Sequence, residues 1–368
     1  MTRKISNVKV LSVAFILCFA ALQNAYAQKP KEEDNACVLN LERANEMYRE
    51  GKIDLIIDQL LPCLNGTRLN KENKVRAYRL LVITQLYFNE RDAAADYMVE
   101  LLKLEPEYEI NENLDPTEFI QLYNRFRTYP ILLVGLHAGG NYSFPTVHRN
   151  FSLDNTSTSL GSYTPEMGYS VGISLEIPFF NKWSVLTNIN YLYNKFEYDK
   201  KQYNYSEVIY LEEQSWMEIP VEIKYYINEG DFRLYAQAGA SVQYLLDASA
   251  SITRLDSLNE ELGNQTVAGP SVNMKDHRMP FNLSAKGAIG FTWKGVIGNG
   301  YLLGSISYTY GLNDVNNPKE RYSNSELLYD YNYVDNDFSM NNLSIKVGYA
   351  LPIYKPKLMD RNKRKKQK

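Results

Sequence analysis

The 368-residue chain predicts an all-β fold, an eight-stranded antiparallel up-and-down transmembrane barrel, preceded by a small all-α domain. Three observations carry this reading. Eight segments between residues 131 and 354 alternate apolar and polar side chains, the gaps between them are alternately short and long, and residues 37–127 instead show helical spacing. Strand geometry sends alternate side chains to opposite faces. Tight turns that alternate with extended loops suit a barrel in an outer membrane, whereas a soluble sandwich has no reason for them.

Residues 1–27 read as a secretory signal, with Arg3, Lys4 and Lys9, an apolar run VLSVAFILCFAAL and a small-residue AYA site before Gln28. The run is too short for a membrane-spanning helix. Residues 28–36 form a linker. Residues 37–127 then carry apolar residues every three to four positions, with breaks at Gly51 and Asn89 and an end at Pro106. Tyr78, Leu81, Ala94, Leu102 and Pro106 fall where a tetratricopeptide repeat wants aromatic, Leu, Ala, Leu and Pro, although Val82 stands where that repeat has a small residue. PTEFIQLYNRFR, opening at Pro116, reads as a capping helix with Phe119, Leu122, Tyr123 and Phe126 on one face. Cys37 and Cys63 lie at nearly equal distances from the Gly51 turn, so an exported helical hairpin brings them to one height. A disulfide is expected there, adding about 3 kcal/mol. No third ligand accompanies them, so neither a metal nor a cofactor is expected.

The eight strands follow over residues 131–354. The first sets Leu132, Val134 and Leu136 against Gly135 and His137; the second sets Tyr169 to Phe179 against Ser170, Gly172, Ser174 and Glu176. The third runs Trp183, Val185, Thr187, Ile189, Tyr191, Tyr193, and the fourth sets Met217, Ile219, Val221, Ile223 and Tyr225 against Glu218, Pro220, Glu222 and Lys224. The fifth opposes Phe232, Leu234 and Val242 to Arg233, Gln237 and Gln243; the sixth opposes Phe281, Ile289 and Trp293 to Asn282, Ser284 and Lys286. The seventh shows Leu302, Ile306, Tyr308 and Tyr310 outward, and the eighth opposes Leu343, Ile345 and Val347 to Ser344 and Lys346. Pro178 and Pro220 on the inner face are expected at strand ends or bulges. Long loops are expected near 145–167, 199–215, 249–279 and 312–338. Trp183, Tyr225, Phe232 and Trp293 flank short turns, as membrane-interface aromatics do. Trp216 has the wrong parity for lipid, which leaves either a lumenal position or a bulge.

The inward set joins Glu176, Glu218 and Glu222 to Lys224, Arg233, Lys286 and Lys346, with His137 among them. An eight-stranded interior is just wide enough for side chains to fill, so these groups are expected to plug the lumen. Residues 355–368 carry eight bases against one acid, including Lys363, Arg364, Lys365 and Lys366, and read as an unstructured basic periplasmic tail. Residues 28–354 hold twenty-nine bases against forty-two acids. The basic run reads as attraction to anionic lipid or as a solvated tail, since nucleic acid conflicts with an export signal.

The strings WMEIPVEIKYYI, LYAQAGASVQYLLDA, SYTYGLNDV and LSIKVGYALPI resemble the fourth, fifth, seventh and eighth strands of PorT-like outer-membrane β-barrel proteins. The helical region resembles the periplasmic tetratricopeptide-like domains that precede some of those barrels. The resemblance implies an eight-stranded barrel, and its best-known members support type IX secretion or gliding. This chain departs from them by its helical domain and its basic tail.

The expectation is a non-enzymatic outer-membrane protein whose barrel, set in outer-membrane lipid, anchors a periplasmic helical domain for an envelope protein partner. The long loops are expected to meet surface glycans or proteins. The alternatives are a narrow solute channel or transport-coupled protein, and a membrane-embedded hydrolase. The latter lacks a recognisable nucleophile partner for His137 at mid-strand or for His148 and His277, read as loop residues.

Overall fold

The computed structural model describes residues 35–64, 68–153, 161–180, 182–202, 205–257 and 263–359. The signal, most of the linker and Lys363, Arg364, Lys365 and Lys366 lie outside the described residues. The chain divides into two compact units, one running to Tyr129 and joined by residues from Pro356, the other from Pro130 to Lys355.

The first unit is helical: α1 (Asn35–Arg49), a 3-10 turn (Ile53–Leu55), α2 (Ile56–Leu64), α3 (Lys71–Tyr87), α4 (Arg91–Leu104) and α5 (Thr117–Tyr123). Both expected breaks fall at left-handed residues, Gly51 at φ 79° and Asn89 at φ 62°. Gly reaches that region freely and Asn tolerates it. Asn70 starts α3 by accepting a 2.7 Å bond from the Asn73 amide, which satisfies one of the orphan donors of the first turn. Leu41, Ala44, Ile56, Leu60 and Leu80 form one core, and Val82, Met98, Leu101 and Phe119 form another. Cys37 and Cys63 are disulfide-bonded with their Cα atoms 5.4 Å apart. The expected cap is shorter than its pattern, because Phe126 lies beyond α5 in an extended pairing with Leu358. There the Arg127 amide donates to the Lys357 carbonyl at 3.1 Å, and the Met359 amide to the Arg125 carbonyl at 2.8 Å. The beginning of the expected tail is therefore ordered by backbone pairing.

The second unit is the barrel. Its strands are β1 (Leu132–Arg149), β2 (Ser162–Phe180), β3 (Trp183–Gln202), β4 (Ser206–Tyr226), β5 (Phe232–Ser257), β6 (Asn264–Ala268), β7 (Val272–Asn273), β8 (Phe281–Lys294), β9 (Tyr301–Gly311) and β10 (Asp337–Ile353). Eight long strands form a closed antiparallel ring, β1 meeting β10 and β4 meeting β5, while β6 and β7 pair with the far half of β5. Closure leaves no edge among the spanning strands, as lipid requires. Leu132 opposes Ile353, so both ends of the barrel chain emerge at the short-turn end. Gly239 permits close approach on the closing seam, because a Cβ there would sit 2.0 Å from the Val221 carbonyl oxygen.

Outward residues are apolar and exposed, Ile289 at 65% and Ile345 at 61% among them. Such a surface is stable against hydrocarbon rather than water. Aromatic pairs bound the band. Trp183 packs on Tyr225 and Phe232 on Trp293 at the short-turn end; Tyr169 packs on Tyr193 and Tyr244 on Phe281 at the other. Beyond the second belt the outward face turns charged, where Lys195 lies 4.0 Å from Glu213. No helix among the described residues is long and apolar enough to cross a membrane, which has no bearing on strands.

Two expectations about this unit are corrected. The segment 199–215 is not a long loop, because β3 and β4 continue as a hairpin and pair up to Gln202 and Ser206. Alternation persists there, with Val208, Tyr210, Glu212, Gln214 and Trp216 all turned inward and buried. Pro220 lies inside β4 rather than at an end or bulge. The β3 ladder skips the positions opposite it, and the Thr187 hydroxyl donates to its carbonyl at 3.0 Å. Pro178 does adjoin a register shift at the end of β2.

Candidate functional site

The barrel interior is filled in layers of side chains. At the short-turn end Leu133, Tyr301 and Ala350 pack together against Leu303. Next comes Glu176, which accepts from Lys224 at 2.8 Å, Ser184 at 2.6 Å and the Tyr226 hydroxyl at 2.7 Å. Lys224 also faces the Tyr235 ring at 4.0 Å, and Arg233 lies between the Tyr226 and Tyr301 rings. Buried charge is tolerable only when paired and hydrogen-bonded, and ring faces take up the remaining cationic charge.

Glu218 organises the middle layer. It accepts from Asn190 at 2.8 Å, Lys286 at 3.2 Å, Ser241 at 3.2 Å and Gln243 at 3.4 Å. Asn190 in turn meets His137 Nε2 at 2.8 Å. The geometry brings Glu176 to Lys224 and Glu218 to Lys286, but among the described residues neither Lys346 nor Glu222 has an ion-pair partner within 4 Å. Both line a cavity of about 60 Å³ shared with His137, Gln237 and Lys286.

Above this layer the lumen becomes apolar. Trp216, Phe196, Leu245, Ile252, Phe338 and Met340 form a core with Val315, Leu327 and Tyr333 from the connection between β9 and β10. Trp216 is thus lumenal, and the adjacent register shift inserts Leu246 on the partner strand β5.

Within this upper core lies a cluster that the alternation argument did not single out. Arg278 is fully buried, and its guanidinium holds two carboxylates. Its Nε and Nη2 donate to Glu212 at 2.7 and 2.6 Å, while Nη1 and Nη2 each donate to Asp335 at 2.9 Å. The His277 carbonyl accepts at 3.1 Å, which completes the fork. The Tyr210 hydroxyl donates to Glu212 at 2.6 Å and the Tyr333 hydroxyl to Asp335 at 3.0 Å, with their rings stacked at 4.2 Å. Burial pushes both phenols well above their ordinary range, so both remain protonated donors. Burial also lowers the His277 imidazole, whose Nδ1 lies 3.8 Å from Asp335. The signal that reaches Glu212 from sequence is the inward parity of Tyr210, Glu212, Gln214 and Trp216; Arg278 and Asp335 lie in segments without periodicity.

His148 is at the far end of β1, not in a loop. Its Nε2 faces both Ser339 Oγ at 3.1 Å and Asp314 Oδ1 at 3.7 Å. A catalytic relay needs the carboxylate on the opposite ring nitrogen and an accessible hydroxyl. Ser339 is 1% exposed. This trio is therefore not arranged for nucleophilic catalysis. Among the described residues no group of three His, Cys, Asp or Glu side chains could hold a metal ion.

A closed antiparallel ring, belted by aromatics and filled inside, matches a known family. The model of the outer membrane protein beta-barrel domain covers residues 121–317, more than half of the chain. The chain belongs to that family. It is an outer-membrane β-barrel protein. Among solved structures, Neisserial surface protein A is similar at 12% identity, with 60% of this chain and 97% of that one covered and a TM-score of 0.30. OprG from Pseudomonas aeruginosa is similar at 12% identity over 61% of this chain and 98% of its own, with a TM-score of 0.33. The outer membrane protease OmpT from Escherichia coli is similar at 8% identity over 60% and 96%, with a TM-score of 0.32. No curated protein matches the chain.

Proposed function

We propose that this outer-membrane barrel is a plugged anchor, and that its work is done by what it carries on either side. The observation behind this is the layered lumen, with an apolar end at Leu133 and Tyr301, paired charges at its middle and an apolar core around Trp216. A solute path would need a continuous polar lining, and the apolar layers interrupt one. Both barrel ends emerge at the short-turn side, which in outer-membrane barrels faces the periplasm. The helical unit is then periplasmic, in line with the export signal.

The helical unit is read as a tetratricopeptide-like adaptor for a protein of the cell envelope, in a secretion or assembly complex resembling PorT-type systems. It offers a groove of about 760 Å³ lined by Leu61, Tyr78, Tyr97 and Val99 together with the charged Asp96, Glu100 and Lys103. The long connections on the opposite side are available to surface glycans or proteins. Planar-bilayer recording tests the plug: the anchor reading expects no stable ohmic steps, and a reproducible unit conductance favours the channel reading. A photocrosslinker at Val99 in intact envelopes tests the adaptor, which requires one discrete adduct that Asp96→Lys weakens.

A further inference from the structure

Buried polar atoms without a partner among the described residues occur at several places in the lumen, and four of them gather around the small cavity in its middle layer. Glu222 is 1% exposed and uses one carboxylate oxygen to accept from Gln237 at 3.1 Å. Among the described residues its Oε2 has no hydrogen-bond partner, and the same holds for Asn188 Oδ1, Gln237 Oε1 and Ser307 Oγ. The residues bearing these four atoms line one cavity with Lys346, which has no carboxylate within ion-pair reach among the described residues. A buried acceptor without a partner keeps its full desolvation penalty. Several such atoms around one small cavity point to something that fills it.

Size and chemistry select the filler. The cavity measures about 60 Å³, and one water needs roughly 10–15 Å³ on this scale, so roughly four waters fit and a drug-sized organic molecule does not. A metal cation is opposed by the ammonium groups of Lys286 and Lys346, which both line the cavity. A bound anion is opposed by the free carboxylate oxygen of Glu222 and the amide oxygens of Asn188 and Gln237. Water alone donates to those oxygens while accepting from Lys346.

We propose that this chamber is a hydration site, holding an ordered water cluster that joins Glu222 to Lys346 as a solvent-separated ion pair. Leu133, Leu303 and Ala350 line both the chamber and the short-turn layer. The other end is shut by the apolar core around Trp216.

Synchrotron hydroxyl-radical footprinting of the full-length wild-type protein in ¹⁸O-labelled water reads bound water directly. Tyr235 and Leu133, both buried and both at the chamber, should take up label, whereas Phe196 and Trp216, buried in the apolar core, should not. Equal protection of all four overturns the proposal. A double-mutant cycle of Glu222→Gln and Lys346→Met, read as the temperature of the heat-induced gel shift, should show each single change lowering that temperature. The pair together should lower it by clearly less than the two added, and strict additivity overturns the water-bridged pair. Exchanging chloride for gluconate should leave wild type unchanged, and a shift there assigns the chamber to an anion instead.

Discussion

Arg278 donates two hydrogen bonds of 2.9 Å to Asp335, fifty-seven residues further along the chain, inside the outer core of the barrel. The pair fastens the segment before β8 to the end of the β9–β10 connection, while Glu212 ties both to β4. Arg278→Met leaves two buried carboxylates without a counter-charge, a class of change that costs about 3–5 kcal/mol. The β9–β10 connection should become cleavable by added protease in folded protein, with the heat-induced gel shift of the barrel retained. Wild-type resistance in the variant would mean that the apolar core alone holds the connection.

Acidification should loosen the same region through His277. Burial lowers its pKa below the ordinary 6.5, so the unfolded connection binds a proton that the folded one resists. Stability then rises with pH across the window between the lowered value and 6.5, and falls as pH drops through it. Protease cleavage of the connection should increase between pH 7.5 and pH 5.5, and His277→Gln should flatten that dependence. An unchanged slope in the variant assigns the effect to the carboxylates.

Reduction should unfold the helical unit and spare the barrel. Replacing Cys37 and Cys63 by Ser removes the one crosslink described in the chain, at a cost of about 3 kcal/mol. The helical circular-dichroism signal should melt earlier, with the barrel gel shift in place. Loss of both transitions together would indicate that the two units fold as one.

Gly239, on the closing β4–β5 seam, and Gly287, on β8, differ sharply in the space beside them. A Cβ at Gly239 would meet the Val221 carbonyl oxygen at 2.0 Å and Glu222 Cα at 2.6 Å, whereas at Gly287 the nearest atom is 4.0 Å away. Gly239→Val should abolish the heat-shifted folded band, while Gly287→Ala should retain it. Folding of both variants would show that the β4–β5 backbone can separate to admit a side chain.

Much of the fold was legible because period 2 and period 3.6 are local properties. Tyr225 and Trp183, on neighbouring strands, could each be assigned to the lipid face from their own segments, and the structure packs them together at 4.7 Å. Gly51 and Asn89 marked the helical breaks because few residues accept a left-handed backbone. The limits of the strands were less legible. Beyond the membrane the outward face becomes polar, so residues 199–215 lost their contrast and read as loop, although their inward positions kept alternating. The lumen pairs were legible as a set and not as partners: parity turned Glu218 and Lys286 inward, but only the closed ring brings them together. Arg278 and Asp335 carried no local sign at all, since each lies in an irregular segment whose place is set by tertiary packing.

The extended pairing of Arg125–Arg127 with Lys357–Met359 has a consequence for the order of assembly. A ribosome delivers the helical unit first, yet the backbone partner for its last segment arrives only with the closing residues of the chain. All eight spanning strands are synthesised before that partner exists. A polypeptide broken off anywhere in the barrel never supplies it, so the finished state of the first domain is a readout that the last one was made.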